Sequence, residues 1–190
     1  MSDNSDTVVL YEQLAVQDVL PVLWRAAPVP PDPQTLAGLC ERNFQVLQAW
    51  DALEDHGPIE LPDENSPLAA ELQRLDRKLS LLLDLVGQIL SVSRPRPVPV
   101  PVRFNALGAE WRAREAPPQA GSSGTLEIFV HECVAQPLRF PGNATGITSE
   151  GEVSVRFAQL EDAVASLLGK IAFRRHRRQI AGRMNPQRAP

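Results

Sequence analysis

Three histidines and two cysteines are the residues of this sequence best suited to nucleophilic or metal chemistry. His131 and Cys133 lie two positions apart, which would place both side chains on one face of a strand. His56 and His176 are distant in the sequence, and no third group is placed to orient a catalytic base. The chain also lacks the GxSxG, HExxH and P-loop motifs. These residues predict a protein that is not an enzyme and that has no metal site.

Arginines near the C-terminus form a second group with recognisable chemistry. Residues 170–190 carry seven Lys or Arg residues and no acid, whereas residues 1–169 carry 12 basic and 23 acidic residues. Arg174 and Arg178 are four apart and would share a helix face. The cluster is explained by a solvated helix end, which favours cations, or by a site for phosphate or an acidic partner. The body of the chain is acidic, and the basic tail lacks interleaved aromatic residues beyond Phe173, which argues against nucleic-acid binding.

Apolar residues in the middle of the chain follow a strict helical rhythm. Their spacings of four, three, four, three, four and three are the a/d pattern of a heptad repeat. The positions are Leu68, Leu72, Leu75, Leu79, Leu82, Val86 and Ile89. Ser66 as N-cap and Pro67 at the first helical position predict where the helix begins, and it should run to about Ser91. Additional leucines outside this stripe, such as Leu81 and Leu85, predict more than one neighbouring helix.

A helix with the same spacing precedes it, between Gln34 and His56. Its stripe consists of Leu39, Asn43, Val46, Trp50 and Leu53. The two helices would bury their stripes either against each other in one chain or in a bundle built by several copies. The width of the second stripe favours self-association, as a homo-tetramer or a dimer, through both stripes. Asn43 would then set the register, as a buried Asn does in coiled coils.

Short extended segments separated by turns make up most of the remaining chain. Leu20, Val22 and Trp24 alternate as in a strand, which Pro21 would confine to a sheet edge or to a strand start. Further strands are expected at 102–112, 125–132, 136–140 and 152–157, with a final helix over 158–181. Such strands predict an antiparallel barrel or sandwich, so the expected fold class is α+β.

The composition, 43% hydrophobic and 22% charged residues, is typical of a folded protein. Two cysteines without a CxxC motif argue against a disulfide scaffold and fit a reducing compartment. No apolar run reaches the roughly 18–20 residues of a membrane span. The first six residues lack the basic region of a secretory signal. We therefore expect a cytoplasmic protein.

Several segments between residues 98 and 180 together resemble a PilZ domain. They are "VRFNALGAEW", "GTLEIFVHE", "PLRFPGNAT" and "GEVSVRFAQLEDAVASLLGKIAFRRHRR". The heptad helices at 34–91 make the chain similar to the atypical, tetrameric PilZ subgroup. The resemblance implies a small antiparallel β-barrel with a C-terminal helix, oligomerisation by a coiled coil or four-helix bundle, and a role in bacterial cyclic di-GMP signalling.

The ligand signature of typical PilZ domains is only partly present. It comprises an RxxxR segment before the barrel and a [D/N]xSxxG turn. Aligning the glycine on Gly108 puts Arg103 at the acidic or amide position and Asn105 at the serine position. Arg94 and Arg96 are two apart, not four. The resemblance therefore implies weak or absent binding of cyclic di-GMP.

The sequence predicts four parts. Residues 1–33 form a strand and a Pro-rich connector belonging to the barrel, 34–91 the heptad hairpin, 92–180 the barrel and C-terminal helix, and 181–190 a flexible basic tail. The expected function is that of a non-enzymatic oligomeric regulator or adaptor without a cofactor, which acts through contacts with other signalling proteins. The alternative is a direct cyclic di-GMP receptor that binds through Arg174, Arg175, Arg177 and Arg178.

Overall fold

Segments in which apolar and polar side chains alternate form the strands of one sheet. The structure is a computed structural model, and it describes residues 14–27, 29, 31–54, 67–93, 95–113, 117–148 and 151–184. The elements in chain order are β1 Val16–Ala26, α1 Pro33–Glu54, α2 Pro67–Ser93, β2 Pro99–Phe104, β3 Gly108–Arg112, β4 Ser123–Ile128, β5 Leu138–Ile147, β6 Glu152–Phe157 and α3 Asp162–Met184. Ser66 and His56, which we expected to begin and end helices, lie outside the described residues.

The six strands close into an antiparallel barrel in the order β1-β2-β3-β6-β5-β4. In β2, Val100, Val102 and Phe104 are buried while Pro99 and Pro101 are exposed, as expected for a strand with one face in the barrel. The structure confirms the expected α+β fold, a PilZ-like barrel with a C-terminal helix.

β1 is not an edge strand and does not begin at Pro21, although Pro21 predicted one or the other. It pairs with β2 up to Pro21 and with β4 from Val22 onward. Proline stands where the strand changes partner, so the missing N–H falls at a break between two ladders. This change of partner is what joins β1 to both neighbours and closes the barrel.

Three predicted strand boundaries were wrong, and one of them is the end of β4, which lies at Ile128 rather than at residue 132. The segment expected as one strand over 102–112 is a hairpin, because a tight turn at Asn105–Gly108 separates β2 from β3. β5 continues to Ile147 through Pro141 and Gly142, which suggested a turn in the sequence. A Cβ at Gly142 would lie 2.2 Å from the carbonyl oxygen of Arg156, so glycine permits the close approach of β6.

α1 and α3 cover the barrel. Asp32 caps α1, since its carboxylate accepts hydrogen bonds from the Thr35 N–H at 3.0 Å and the Thr35 hydroxyl at 2.7 Å. These hydrogen bonds lower the pKa of the Asp32 carboxyl below its ordinary value. Trp50 of α1 is fully buried and stacks on Phe104 at 6.4 Å between ring centroids. From α3, Val164, Leu168, Ile171 and Ala172 enter the same core.

The first heptad stripe is therefore largely occupied inside the protomer. Asn43, Val46 and Trp50 are buried in the core formed by α1, α3 and the barrel, while Leu39 and Leu53 are half-buried. α1 packs against β5 and α3. The three buried side chains are unavailable to another copy of the chain, so the predicted self-association surface narrows to α2. None of the helices in the described residues is long and apolar enough to cross a membrane.

Candidate functional site

The outstanding surface of the protein is the apolar stripe of α2. Its side chains are between 37% and 64% exposed, even though leucine, valine and isoleucine favour burial. These seven residues are Leu68, Leu72, Leu75, Leu79, Leu82, Val86 and Ile89, which we call the α2 stripe. A helix of 27 residues is about 40 Å long, so the stripe is an extended surface rather than a local patch.

The second half of α2 is apolar well beyond the stripe. Leu81, Leu85 and Val92 are 63%, 54% and 85% exposed. At 100° per residue they fall to one side of the stripe and widen the apolar surface to about half of the helix circumference. The first half, from Leu68 to Leu79, keeps its apolar residues within a narrow band. The two halves therefore present apolar surfaces of different width.

The barrel positions that align with the ligand signature have structural roles of their own. The side-chain oxygen of Asn105 accepts hydrogen bonds from the N–H groups of Leu107 at 2.8 Å and Gly108 at 3.3 Å. A Cβ at Gly108 would lie 2.3 Å from the carbonyl oxygen of Val155, so this glycine serves the contact between β3 and β6. Asn105 stabilises the β2–β3 turn, and Gly108 permits the close approach of β6.

Arg103 lies beside an acidic residue of the neighbouring strand. It pairs in register with Glu110 of β3, whose other neighbour is Ser154 of β6. Partial burial raises the pKa of the Glu110 carboxyl, the charge of Arg103 opposes this effect, and Glu152 reinforces it. Arg103 thus partly neutralises a carboxylate of its own barrel.

The terminal arginines converge on the acids of α1. Arg174 pairs with Asp51, and Arg178 donates to the backbone oxygen of Glu54 at 2.7 Å. Asp51 and Glu54 are three apart on α1, so they face α3 together. The guanidinium of Arg177 instead lies over the Phe173 ring of the same helix, 5.9 Å from the ring centroid. The predicted shared face of Arg174 and Arg178 is present, and it is turned toward carboxylates of the same chain.

Arg175 is the most enclosed member of this group. Its Nε donates to Glu54 at 2.8 Å, its Nη1 donates to Asp18 at 2.6 Å, and its guanidinium lies 4.8 Å from the Trp50 ring centroid. Burial disfavours the charged form, but the hydrogen bonds to Glu54 and Asp18 outweigh it and raise the pKa of Arg175. Arg175 therefore connects α3 by hydrogen bonds to α1 and to strand β1 of the barrel.

Arg96 is a residue whose role sequence reasoning missed. Its guanidinium donates to the backbone oxygens of His131, Glu132 and Val134 at 2.9–3.0 Å. Its partners lie 35–38 positions away in the sequence, so a local residue spacing cannot predict the contact. The arginine pair before the barrel was interpreted only as a broken RxxxR motif, whereas Arg96 binds the chain itself.

The His131 and Cys133 pair lies in the connection between β4 and β5 rather than on a strand face. The Nδ1 atom of His131 accepts a hydrogen bond from the backbone N–H of Cys133 at 3.1 Å. Among the residues that the structure describes, no group of three or more His, Cys, Asp and Glu side chains could hold a metal ion. The pair forms a local turn contact.

Comparisons with known proteins agree with this architecture. A family model described as "Atypical PilZ domain, cyclic di-GMP receptor" matches residues 47–185. No curated protein matches the chain. Among solved structures, the chain is similar to a pathogenic protein from Xanthomonas campestris described as a new tetrameric PilZ domain self-assembled via an unusual helical bundle. The identity is 25%, the TM-score is 0.64, and the match covers 90% of this chain and 91% of that one. The family match spans well over half of the sequence, and this chain belongs to the atypical PilZ domain family.

Proposed function

We propose that this chain is a non-enzymatic, self-assembling regulator of cyclic di-GMP signalling whose α2 helices form the core of a homo-tetramer. Family membership relates the chain to this signalling system. The observation that carries the proposal is the exposure of the α2 stripe, whose seven side chains are 37–64% exposed in the isolated chain. A surface of that kind marks an interaction site in a soluble protein.

Burial of the α2 stripe by self-association would contribute a favourable free energy. Burying a leucine-sized side chain contributes about 1.5–3 kcal/mol relative to full exposure. Seven partly exposed residues would contribute a substantial part of that sum, and the entropy of association, about 4–15 kcal/mol, opposes it. The additional apolar residues of the second half of α2 favour four helices over two, because a helix in a dimer buries only one narrow stripe. The Xanthomonas protein, described as tetrameric through a helical bundle, supports the same arrangement.

We infer that direct binding of cyclic di-GMP is weak or absent. Asn105, Gly108 and Arg96 serve the packing of the chain itself, and Arg174, Arg175 and Arg178 face the acids of α1 and β1. A phosphate would have to displace these carboxylates before the arginines could bind it. The regulator would then act by presenting its barrels to other signalling proteins.

Isothermal titration calorimetry with cyclic di-GMP tests the ligand claim. At micromolar concentrations of the chain we expect no saturable heat. A dissociation constant in the micromolar range or tighter would contradict the proposal. If that binding disappeared in the Arg174→Ala/Arg178→Ala variant while the oligomer persisted, the terminal arginines would be the receptor site.

Charge placed on the α2 stripe tests the assembly claim. Leu75→Glu/Leu82→Glu puts two carboxylates at the centre of the proposed bundle, where burial without a partner is strongly unfavourable. We expect light scattering to give a monomer. The matched control is Gln73→Glu/Ser80→Glu, which adds the same charge on the opposite, polar side of α2 and should keep the mass of the unmodified chain. Circular dichroism shows whether the barrel is folded in both variants, and an unchanged mass for the folded stripe variant would contradict the assembly.

A further inference from the structure

Within the described part of the chain, one loop of the barrel contacts both α2 and the segment that follows it. This loop, residues 129–134, follows β4 and precedes β5. We call it the joint loop. It meets α2 near Leu83 and Gly87, and it meets the segment that leaves α2 at Arg96. The loop therefore contacts α2 itself at Leu83 and Gly87 and the segment after the helix at Arg96, and contacts at two places along the chain restrict the angle of the helix.

Arg96 forms the first attachment. Nη1 donates to the oxygen of His131 at 3.0 Å, and Nη2 donates to the oxygens of Glu132 at 2.9 Å and Val134 at 3.0 Å. The guanidinium also lies 5.5 Å from the centroid of the Phe129 ring. A planar fork with several donors can bind three carbonyls in fixed directions, whereas a lysine ammonium is a point charge on a flexible stem.

Cys133 and Gly87 form the second attachment. The Cys133 thiol donates to the backbone oxygen of Leu83 at 3.1 Å. Burial, together with the charges of Glu132 and Asp84, raises the pKa of this thiol, so it keeps the proton that it donates. A Cβ at Gly87 would lie 3.5–3.7 Å from Glu132 and Cys133 side-chain atoms, an ordinary van der Waals distance, so the loop lies close to this turn of the helix.

We propose that Arg96 is a positioning residue which, with the joint loop, fixes the angle between each barrel and the α2 bundle. The inference rests on the proposed self-assembly, because the angle then sets how all barrels of the oligomer are arranged for a partner. The apolar stripe determines that the chains associate. Arg96 and the joint loop determine how the barrels of the oligomer are oriented relative to the α2 bundle.

Small-angle X-ray scattering of the full chain, with the mass measured by light scattering, tests this proposal. Arg96→Ala should leave the mass unchanged, enlarge the radius of gyration and broaden the distribution of interatomic distances. Arg96→Lys should show a smaller change in the same direction. The matched control is Arg112→Ala, which removes an exposed arginine at the end of β3 and should leave the scattering curve unchanged.

Cys133→Ala provides an independent variant at the second attachment, and it should also broaden the distance distribution. If Arg96→Ala does not fold, the scattering curve of Cys133→Ala tests the proposal in its place. Scattering curves of folded Arg96→Lys and Cys133→Ala that superimpose on that of the unmodified chain would overturn the proposal. The mass of the unmodified chain reports separately on self-assembly. Scattering of a monomer would still report the angle between α2 and its barrel, so the two failures are distinguishable.

Discussion

Asn43 shows how much the role of a residue depends on its neighbours in space. Its position in a heptad stripe suggested a register-setting residue of a coiled coil. The structure instead places the side chain between α1 and β5, where Nδ2 donates to the oxygen of Arg139 and Oδ1 accepts from the Arg139 N–H, each at 2.8 Å. Periodicity identifies a helix face, but it does not reveal which surface that face contacts.

Removing this side chain should destabilise the fold without affecting assembly. Asn43→Ala leaves the partly buried N–H and carbonyl of Arg139 without their side-chain partner, and an unsatisfied buried group costs about 1–3 kcal/mol. We expect the free energy of unfolding to fall by roughly 2–4 kcal/mol. Urea unfolding at one fixed protein concentration measures it, because the stability of an oligomer depends on concentration.

The control for this variant is Gln45→Ala, an exposed position on the same helix. It should change the free energy of unfolding by less than about 0.5 kcal/mol. A lower oligomer mass for folded Asn43→Ala would show that Asn43 belongs to the interface between copies, against the position that the structure gives it.

The arginines of α3 illustrate the same dependence at longer range. Spacing alone predicted that Arg174 and Arg178 share a face. Their partners Asp51 and Glu54 are more than 120 positions earlier in the chain. A local pattern therefore finds a charged face but does not distinguish a free anion site from one that the protein fills with its own carboxylates.

At the scale of elements, the two heptad helices were predictable in extent but not in role. α1 at Pro33–Glu54 and α2 at Pro67–Ser93 agree closely with the expected ranges. Both have the same spacing, yet α1 packs on β5 and α3 while the α2 stripe is exposed. The wider apolar surface of α2 was the sequence feature that distinguished them. The coiled-coil pairing of α2 with other copies stays a prediction.

The strands were predictable where their side chains alternate, and less so where glycine and proline interrupt them. β6 was placed correctly at Glu152–Phe157. The sequence predicts a turn in the second half of β5, because Pro141, Gly142 and Asn143 are typical turn residues. In the barrel these residues lie where β5 and β6 approach closely. Only the neighbouring strand explains the need for a small residue there.

For the whole molecule, the sequence indicated an antiparallel barrel or sandwich and left the strand order open. Closure depends on β1 pairing with β4 across about 100 residues of intervening chain, which local patterns do not specify. The ligand positions followed from the family resemblance, and their structural roles followed from the packing. At this scale the α2 stripe is the largest exposed apolar surface described above, and the proposed function rests on that exposure.

The absolute mass of the unmodified chain in solution tests this central claim most directly. One chain has a mass of 20.9 kDa. Multi-angle light scattering should give four times that value and keep it on dilution through the micromolar range. A mass of a single chain at these concentrations, with the barrel folded, would contradict the assembly and with it the proposed function.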